Sequence, residues 1–109
     1  MEDIDASETA FGMERSSDAG GDPMILLNGE LDISSAETLR GAVEEIVAEG
    51  PKRLVFDLSG LSFMDSSGIA VMVYAANNVA IVELLHPSRV VRRVVEATGL
   101  SDVLRLGPP

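Results

Sequence analysis

Short apolar runs alternate along this chain with longer segments in which apolar residues recur every three or four positions. Apolar, β-branched runs bounded by turn formers are typical of strands, whereas the longer spacing is typical of amphipathic helices. The runs predict strands at residues 24–31, 54–58 and 79–85, and a weaker strand at residues 9–15. Turn formers fill residues 16–23, so the first two strands are expected to form a hairpin.

The first of three predicted helices has the sequence signature of a capping box. Ser34 is the expected N-cap, and Glu37 stands three residues later, where its side chain can reach back to the free backbone N–H. Gly50 and Pro51 end this helix. Its apolar stripe is expected to consist of Ala36, Leu39, Val43, Ile46 and Val47.

The other two helices are predicted from apolar patterns with polar boundaries. Residues 69–76 are apolar nearly all round and are followed by Asn77 and Asn78. Ser88, after a proline, opens the last helix, which Gly99 closes. The apolar face of this last helix is expected to consist of Val90, Val91, Val94 and Val95.

The order of these elements, β, β, α, β, α, β, α, predicts an α/β fold. Right-handed crossovers between the strands imply a mainly parallel sheet of four to five strands with helices packed on it. Ligands of such sheets bind beyond the carboxyl ends of the strands. The connections 29–35 and 62–68 are expected to meet there, with Leu61 and Phe63 leading into the second.

The composition excludes several kinds of site. Among 109 residues there is no cysteine and one histidine, His86, which excludes disulfides, thiolate metal sites and a multi-histidine metal centre. No nucleophile elbow accompanies His86, so neither an enzyme nor a cofactor is expected. The length fits one domain, expected at residues 9–107 after a flexible acidic segment at residues 1–8.

The net charge limits the kinds of partner. The chain carries a net charge of −10, and its first 50 residues alone carry −11. Because phosphate binding needs clustered Lys and Arg, direct contact with nucleic acid or anionic lipid is disfavoured. The acidic half favours a basic protein partner, or serves solubility alone. No apolar run reaches the roughly 20 residues of a membrane span, so a cytoplasmic protein is expected.

The candidate chemistry is concentrated in Asp65-Ser66-Ser67-Gly68, where a strand runs into a helix. A helix N-terminus carries free N–H donors and a partial positive charge, so a phosphate can be held there without a basic pocket. Ser66 is therefore a candidate phosphoserine. The alternative is that Asp65, Ser66 or Ser67 only caps the helix, a common use of all three residues.

Three ordered motifs resemble the STAS domain family, in particular its stand-alone bacterial anti-sigma factor antagonists. They read LNGELD at residues 27–32, LSFMDSSGI at residues 61–69, and PSRVVRRV at residues 87–94, followed by TGL at residues 98–100. The resemblance covers residues 24–106 and implies a STAS-type, SpoIIAA-like fold.

The resemblance also implies a partner switch. In this family the unphosphorylated antagonist binds an anti-sigma factor that is also a serine kinase of the histidine-kinase-like ATPase fold, and thereby frees a sigma factor. The kinase phosphorylates the first serine after the aspartate, here Ser66, and switches binding off. A PP2C-type phosphatase restores the serine, and Ser67 is not the usual acceptor.

The residues implied in partner binding surround the candidate phosphoserine. Asp65 would position and cap, Gly68 would permit close approach of the partner, and Asp32 would contact the kinase or serve only as a cap. The alternative function is a non-switching STAS interaction or scaffold module, associated with a transporter or a signalling complex. The implied partner-binding set is Asp32, Ser34, Asp65, Ser67, Gly68 and Ile69.

Overall fold

The secondary structure follows the predicted order of strands and helices, with one further short strand after the last helix. A computed structural model describes residues 10–108, so the expectation for residues 1–8 lies outside the described part. The predicted hairpin and the three predicted helices are all present. The elements are β1 Gly12–Ser17, β2 Pro23–Leu31, α1 Ile33–Ala48, β3 Arg53–Met64, α2 Ser66–Asn78, β4 Ile81–Leu85, α3 Arg89–Ala97 and β5 Arg105–Leu106.

The five strands form one sheet in the order β1-β2-β3-β4-β5. The β1 strand runs antiparallel to β2, and every other neighbouring pair is parallel. The predicted α/β fold with a mainly parallel sheet is therefore confirmed. Because each crossover moves one strand in the same direction, right-handed connections place all three helices on the same face of the sheet.

The hydrophobic core lies between that face and the helices. In β3, Leu54, Phe56 and Leu58 are fully buried and follow the period of two that directs alternate side chains to one face. The helices cover these residues with their apolar stripes. Their contributions include Leu39, Val43 and Ile46 from α1, Met72 and Ala75 from α2, and Val91 and Val95 from α3.

One residue predicted for the apolar face of α3 lies on the outside. Val90 is 50% exposed, whereas Val91 and Val95 are fully buried. Successive residues of a helix are about 100° apart, so the stripe through Val91 and Val95 turns Val90 towards solvent. The prediction for Val90 was therefore wrong.

The β3 strand is longer than the sequence pattern predicted. Leu61 and Phe63 do not lie in a connection, because the strand continues to Met64. Beyond Asp57 it pairs with β2 alone, since β4 ends at Leu85 opposite Asp57. Two register irregularities between β2 and β3 interrupt the alternation of buried and exposed side chains there. The sequence pattern of a strand is therefore lost over this part of β3. As a result, β2 and β3 project past the end of β4.

The other end of the strands, where β3 begins, carries a charge network centred on Arg53. Its guanidinium donates to Asp18 at 2.5 Å, to Asp22 at 2.9 Å, and also to Glu83. The hydrogen bond to Asp18 is the main cause of both the raised pKa of Arg53 and the lowered pKa of Asp18. These partly exposed ion pairs join the β1–β2 turn to β3 and β4, far from the end where β2 and β3 project.

Candidate functional site

The candidate site lies where β2 and β3 end together. Leu31 and Met64 are register partners, and the Asp65 backbone N–H donates to the Leu31 carbonyl at 3.1 Å. Each strand is followed by an aspartate, Asp32 after β2 and Asp65 after β3, and each aspartate begins a helix. The prediction that the two connections meet at one edge is therefore confirmed.

The N-cap of α1 is Asp32 rather than Ser34, which corrects the predicted capping box. Asp32 has an extended backbone, and its side chain accepts from the Ser34 N–H at 3.0 Å. The reciprocal bond comes from Ser35, whose hydroxyl accepts the Asp32 N–H at 3.0 Å, so Glu37 is not needed. Helix α1 begins at Ile33, two residues earlier than expected, because β2 ends at Leu31 and Asp32 already lies outside the strand.

The second helix begins in the same way, and this geometry separates the roles of its first residues. The Asp65 side chain accepts from the Ser67 N–H at 2.8 Å and is the N-cap of α2. Ser66 is the first residue of α2 and is exposed, while Ser67 is half-buried. Within residues 10–108 the Ser66 hydroxyl has no hydrogen-bond partner. Asp65 therefore does the capping, and Ser66 presents a free hydroxyl to solvent.

Gly68 packs against the core of its own chain, which changes the reason for a glycine at this position. A Cβ atom there would lie 2.7 Å from Leu31 Cδ2 and 2.7 Å from Met64 Cγ. Gly68 is buried, so it lets α2 approach the strands and does not offer a surface to a partner. Ile69 is only 7% exposed and belongs to the same core. Both residues therefore hold the start of α2 in place by packing in the core.

The Asp32 carboxylate is held in its ionised form by the start of α1. The Ser34 hydroxyl donates to Asp32 Oδ1 at 2.7 Å, in addition to the Ser34 N–H. The Ser34 hydroxyl is the main cause of a lowered pKa of Asp32, with further contributions from the Ser34 N–H and from Ser35. The end of the sheet where β2 and β3 stop therefore carries the negative charge of Asp32 at neutral pH.

The lowered pKa of Asp32 predicts a pH dependence of stability. Its stabilising effect is complete above the unfolded pKa of about 3.9 and is lost as pH falls through the lower folded pKa. We expect Asp32→Asn, whose amide can still cap α1, to lose less stability than the wild type between pH ~7 and pH ~2.5. Urea unfolding across this range measures the difference.

A matched control for this experiment is Glu45→Gln, which removes an exposed acid from the middle of the same helix. It should follow the wild-type dependence on pH. Parallel curves for Asp32→Asn and the wild type would contradict the stabilising role assigned to the Asp32 carboxylate.

Two residues that shape the site were not singled out from the sequence. Ser35 is 7% exposed, and its hydroxyl also donates to the Glu30 carbonyl at 3.1 Å. The spacing of Asp32 and Ser35 is itself that of a capping box, so the sequence held a signal for this pair. Ile33, between Asp32 and Ser34, is 80% exposed, and no periodic pattern could have revealed that exposure.

Both strand-to-helix junctions lie within residues 15–108, which match the STAS domain family. The chain belongs to the STAS domain family. The anti-sigma-F factor antagonist RsfB of Mycobacterium tuberculosis is 29% identical over 92 residues, which cover 82% of this STAS protein and 75% of RsfB. An anti-sigma F factor antagonist of Lysinibacillus sphaericus is 34% identical over 82 residues, 71% of this chain and 70% of the relative.

The solved structure of the anti-sigma factor antagonist SpoIIAA in its unphosphorylated form is similar to this STAS protein. The TM-score is 0.76 and the sequence identity is 25%, with 89% of each chain covered. The predicted SpoIIAA-like fold and the relationship to anti-sigma factor antagonists are thus confirmed. Because these relatives are named as antagonists, they also confirm the prediction that this STAS protein is not an enzyme.

Two further findings concern the part of the chain that the structure describes. No helix there is long and apolar enough to cross a membrane. Across the same residues, no group of three or more acidic or histidine side chains could hold a metal ion. His86 is exposed and directly follows β4.

Proposed function

We propose that this STAS protein is an anti-sigma factor antagonist controlled by phosphorylation of Ser66. The unphosphorylated form binds a cytoplasmic anti-sigma factor serine kinase of the histidine-kinase-like ATPase fold, and this capture releases a sigma factor. The kinase transfers phosphate to Ser66 and switches binding off, and a PP2C-type phosphatase restores the binding form. One STAS domain over residues 9–107 carries this function, without direct contact to nucleic acid.

The observation that carries the proposal is the position of Ser66. It is an exposed hydroxyl at the first position of α2, and its neighbour Asp65 already satisfies the capping role. A serine that is neither buried nor needed as a cap is free to serve as a kinase substrate. The names of RsfB and of unphosphorylated SpoIIAA support the same assignment.

The partner surface in this proposal consists of the polar residues around Ser66. Asp32 and Asp65 are half-buried carboxylates, Ser34 is exposed, and Ser67 is half-buried. These side chains suit a basic partner surface, since the whole chain has a net charge of −10.

Phosphorylation acts in this proposal through charge and without refolding. A phosphoserine at position 66 adds about −1.5 to −2 charges beside Asp32 and Asp65. The Ser67 N–H, which could have neutralised part of that charge, is already bonded to the Asp65 carboxylate. The partial positive charge of the α2 N-terminus offsets only part of the added charge. The phosphate must also be desolvated whenever the kinase binds.

The proposal predicts a single phosphate on Ser66. The protein is incubated with ATP and each purified anti-sigma factor kinase of its host, and intact mass with peptide mapping is measured for the wild type and Ser66→Ala. One kinase should add one phosphate to the wild type, on the peptide that contains Ser66, and none to the variant.

Two results would count against the switch. A phosphate that persists in Ser66→Ala would show a different acceptor, with Ser67 the first residue to examine. A folded wild-type protein that no kinase modifies would favour the non-switching interaction or scaffold function.

A further inference from the structure

Large exposed hydrophobic side chains are few in the described part of the chain, namely Ile33, Phe63, Val90 and Val103. Ile33 is the most exposed of them, at 80%, and Phe63 is 39% exposed. An exposed apolar side chain is ordinary in itself, but these two stand close in the chain to the aspartate N-caps Asp32 and Asp65. Ile33 follows Asp32 directly, and Phe63 stands two residues before Asp65.

Ile33 occupies in α1 the position that Ser66 occupies in α2. Each is the first residue of its helix, after an aspartate N-cap whose carboxylate bonds the N–H two residues further on. The two helices start from neighbouring parallel strands and pack against each other. Because Leu31 and Met64, the last residues of those strands, are register partners, the first turns of the two helices start next to each other. Ile33 and Ser66 are both exposed, so they belong to neighbouring first turns of one surface.

We propose that Ile33 is the apolar anchor by which the anti-sigma factor kinase holds this surface. This inference rests on the proposed function. The fitting partner surface is an apolar pocket bordered by basic side chains, because Ile33 is set among the carboxylates Asp32 and Asp65. A few well-buried anchors carry most of the affinity of an interface, whereas exposed charges mainly set orientation and association rate.

An anchor at Ile33 also explains how a modification at the neighbouring position can switch binding. Seating Ile33 in a pocket removes water from the surface around Ser66. A hydroxyl tolerates this when it makes one hydrogen bond, but a phosphate with almost two charges does not, because burying unpaired charge is far more costly. The contact that gives affinity to the unphosphorylated form thus excludes the phosphorylated form.

Calorimetric titration of the full chain with each purified anti-sigma factor kinase of its host tests the anchor. The variants are Ile33→Asn and Ile33→Ala, with Val90→Asn as the matched control, because Val90 is also an exposed β-branched residue in the first turn of a helix. We expect the Kd to rise about tenfold or more for Ile33→Asn. Ile33→Ala should weaken binding less, and Val90→Asn should bind like the wild type.

The outcomes separate this inference from the proposed function. Wild-type affinity in Ile33→Asn, or an equal loss in Val90→Asn, would overturn the anchor and leave the proposed function in place. A wild type that binds none of the kinases would overturn the proposed function and the anchor with it. Urea unfolding checks each variant, and if Ile33→Asn does not fold, Ile33→Ala decides by the same comparison.

Discussion

A Gly29→Ala variant should be destabilised by roughly 2–5 kcal/mol, since overpacking and a left-handed backbone each cost a few kcal/mol. The added Cβ would lie 2.1 Å from the Ala10 carbonyl oxygen and 2.8 Å from its carbon, which are backbone atoms and cannot rotate away. Gly29 also has a φ of +84°, where an L side chain is strained. Relief of the clash requires the segment before β1 to move off β2, close to the candidate site. Urea unfolding gives the change in free energy.

Two other glycines separate the clash from the backbone effect. Gly50 has a φ of +73° but open space around its Cβ position, so Gly50→Ala should cost only the conformational part, about 1–2 kcal/mol. Gly41 lies inside α1 with open space, so Gly41→Ala should stabilise the protein by about 0.5–1 kcal/mol. Equal losses for Gly29→Ala and Gly50→Ala would contradict the assigned contact with Ala10.

The sequence was sufficient for features that depend on periodicity and chain order. A continuous apolar stripe through Leu39, Val43 and Ile46 can be buried only by a helix, and α1 buries all three. The order of elements then restricts the sheet to a mainly parallel arrangement and brings two connections to one edge. The order also brings Ser66 to the start of a helix, whereas its exposure is seen only in the structure.

The features that the sequence did not predict depend on close contacts between separate elements. Gly68 was interpreted as space for a partner, but its neighbours are Leu31 at the end of β2 and Met64 at the end of β3. The N-cap of α1 is Asp32 instead of Ser34 because of where β2 ends. The exposure of Ile33 depends on this helix start, since the position two residues later, Ser35, is buried.

Phosphorylation of Ser66 should weaken binding to the anti-sigma factor kinase more than a hundredfold, equivalent to about 3 kcal/mol. The phosphate would directly follow Asp65, and the Ser67 N–H is already bonded to the Asp65 carboxylate. Ser66→Glu adds one charge instead of almost two and should weaken binding by a smaller factor. Titration of phosphorylated protein, Ser66→Glu and Ser66→Ala against the kinase measures the series, in which Ser66→Ala should stay closest to the wild type.

A matched control for added charge is Ser17→Glu, because Ser17 is exposed and pairs with Pro23 at the opposite end of β2. It should bind the kinase like the wild type, which would show that position and not net charge decides the effect. Unfolding curves for Ser66→Glu should match those of the wild type, since the switch needs no refolding. Tight binding by the phosphorylated protein would contradict the switch, whereas an equal loss in Ser17→Glu would reduce it to a general effect of charge.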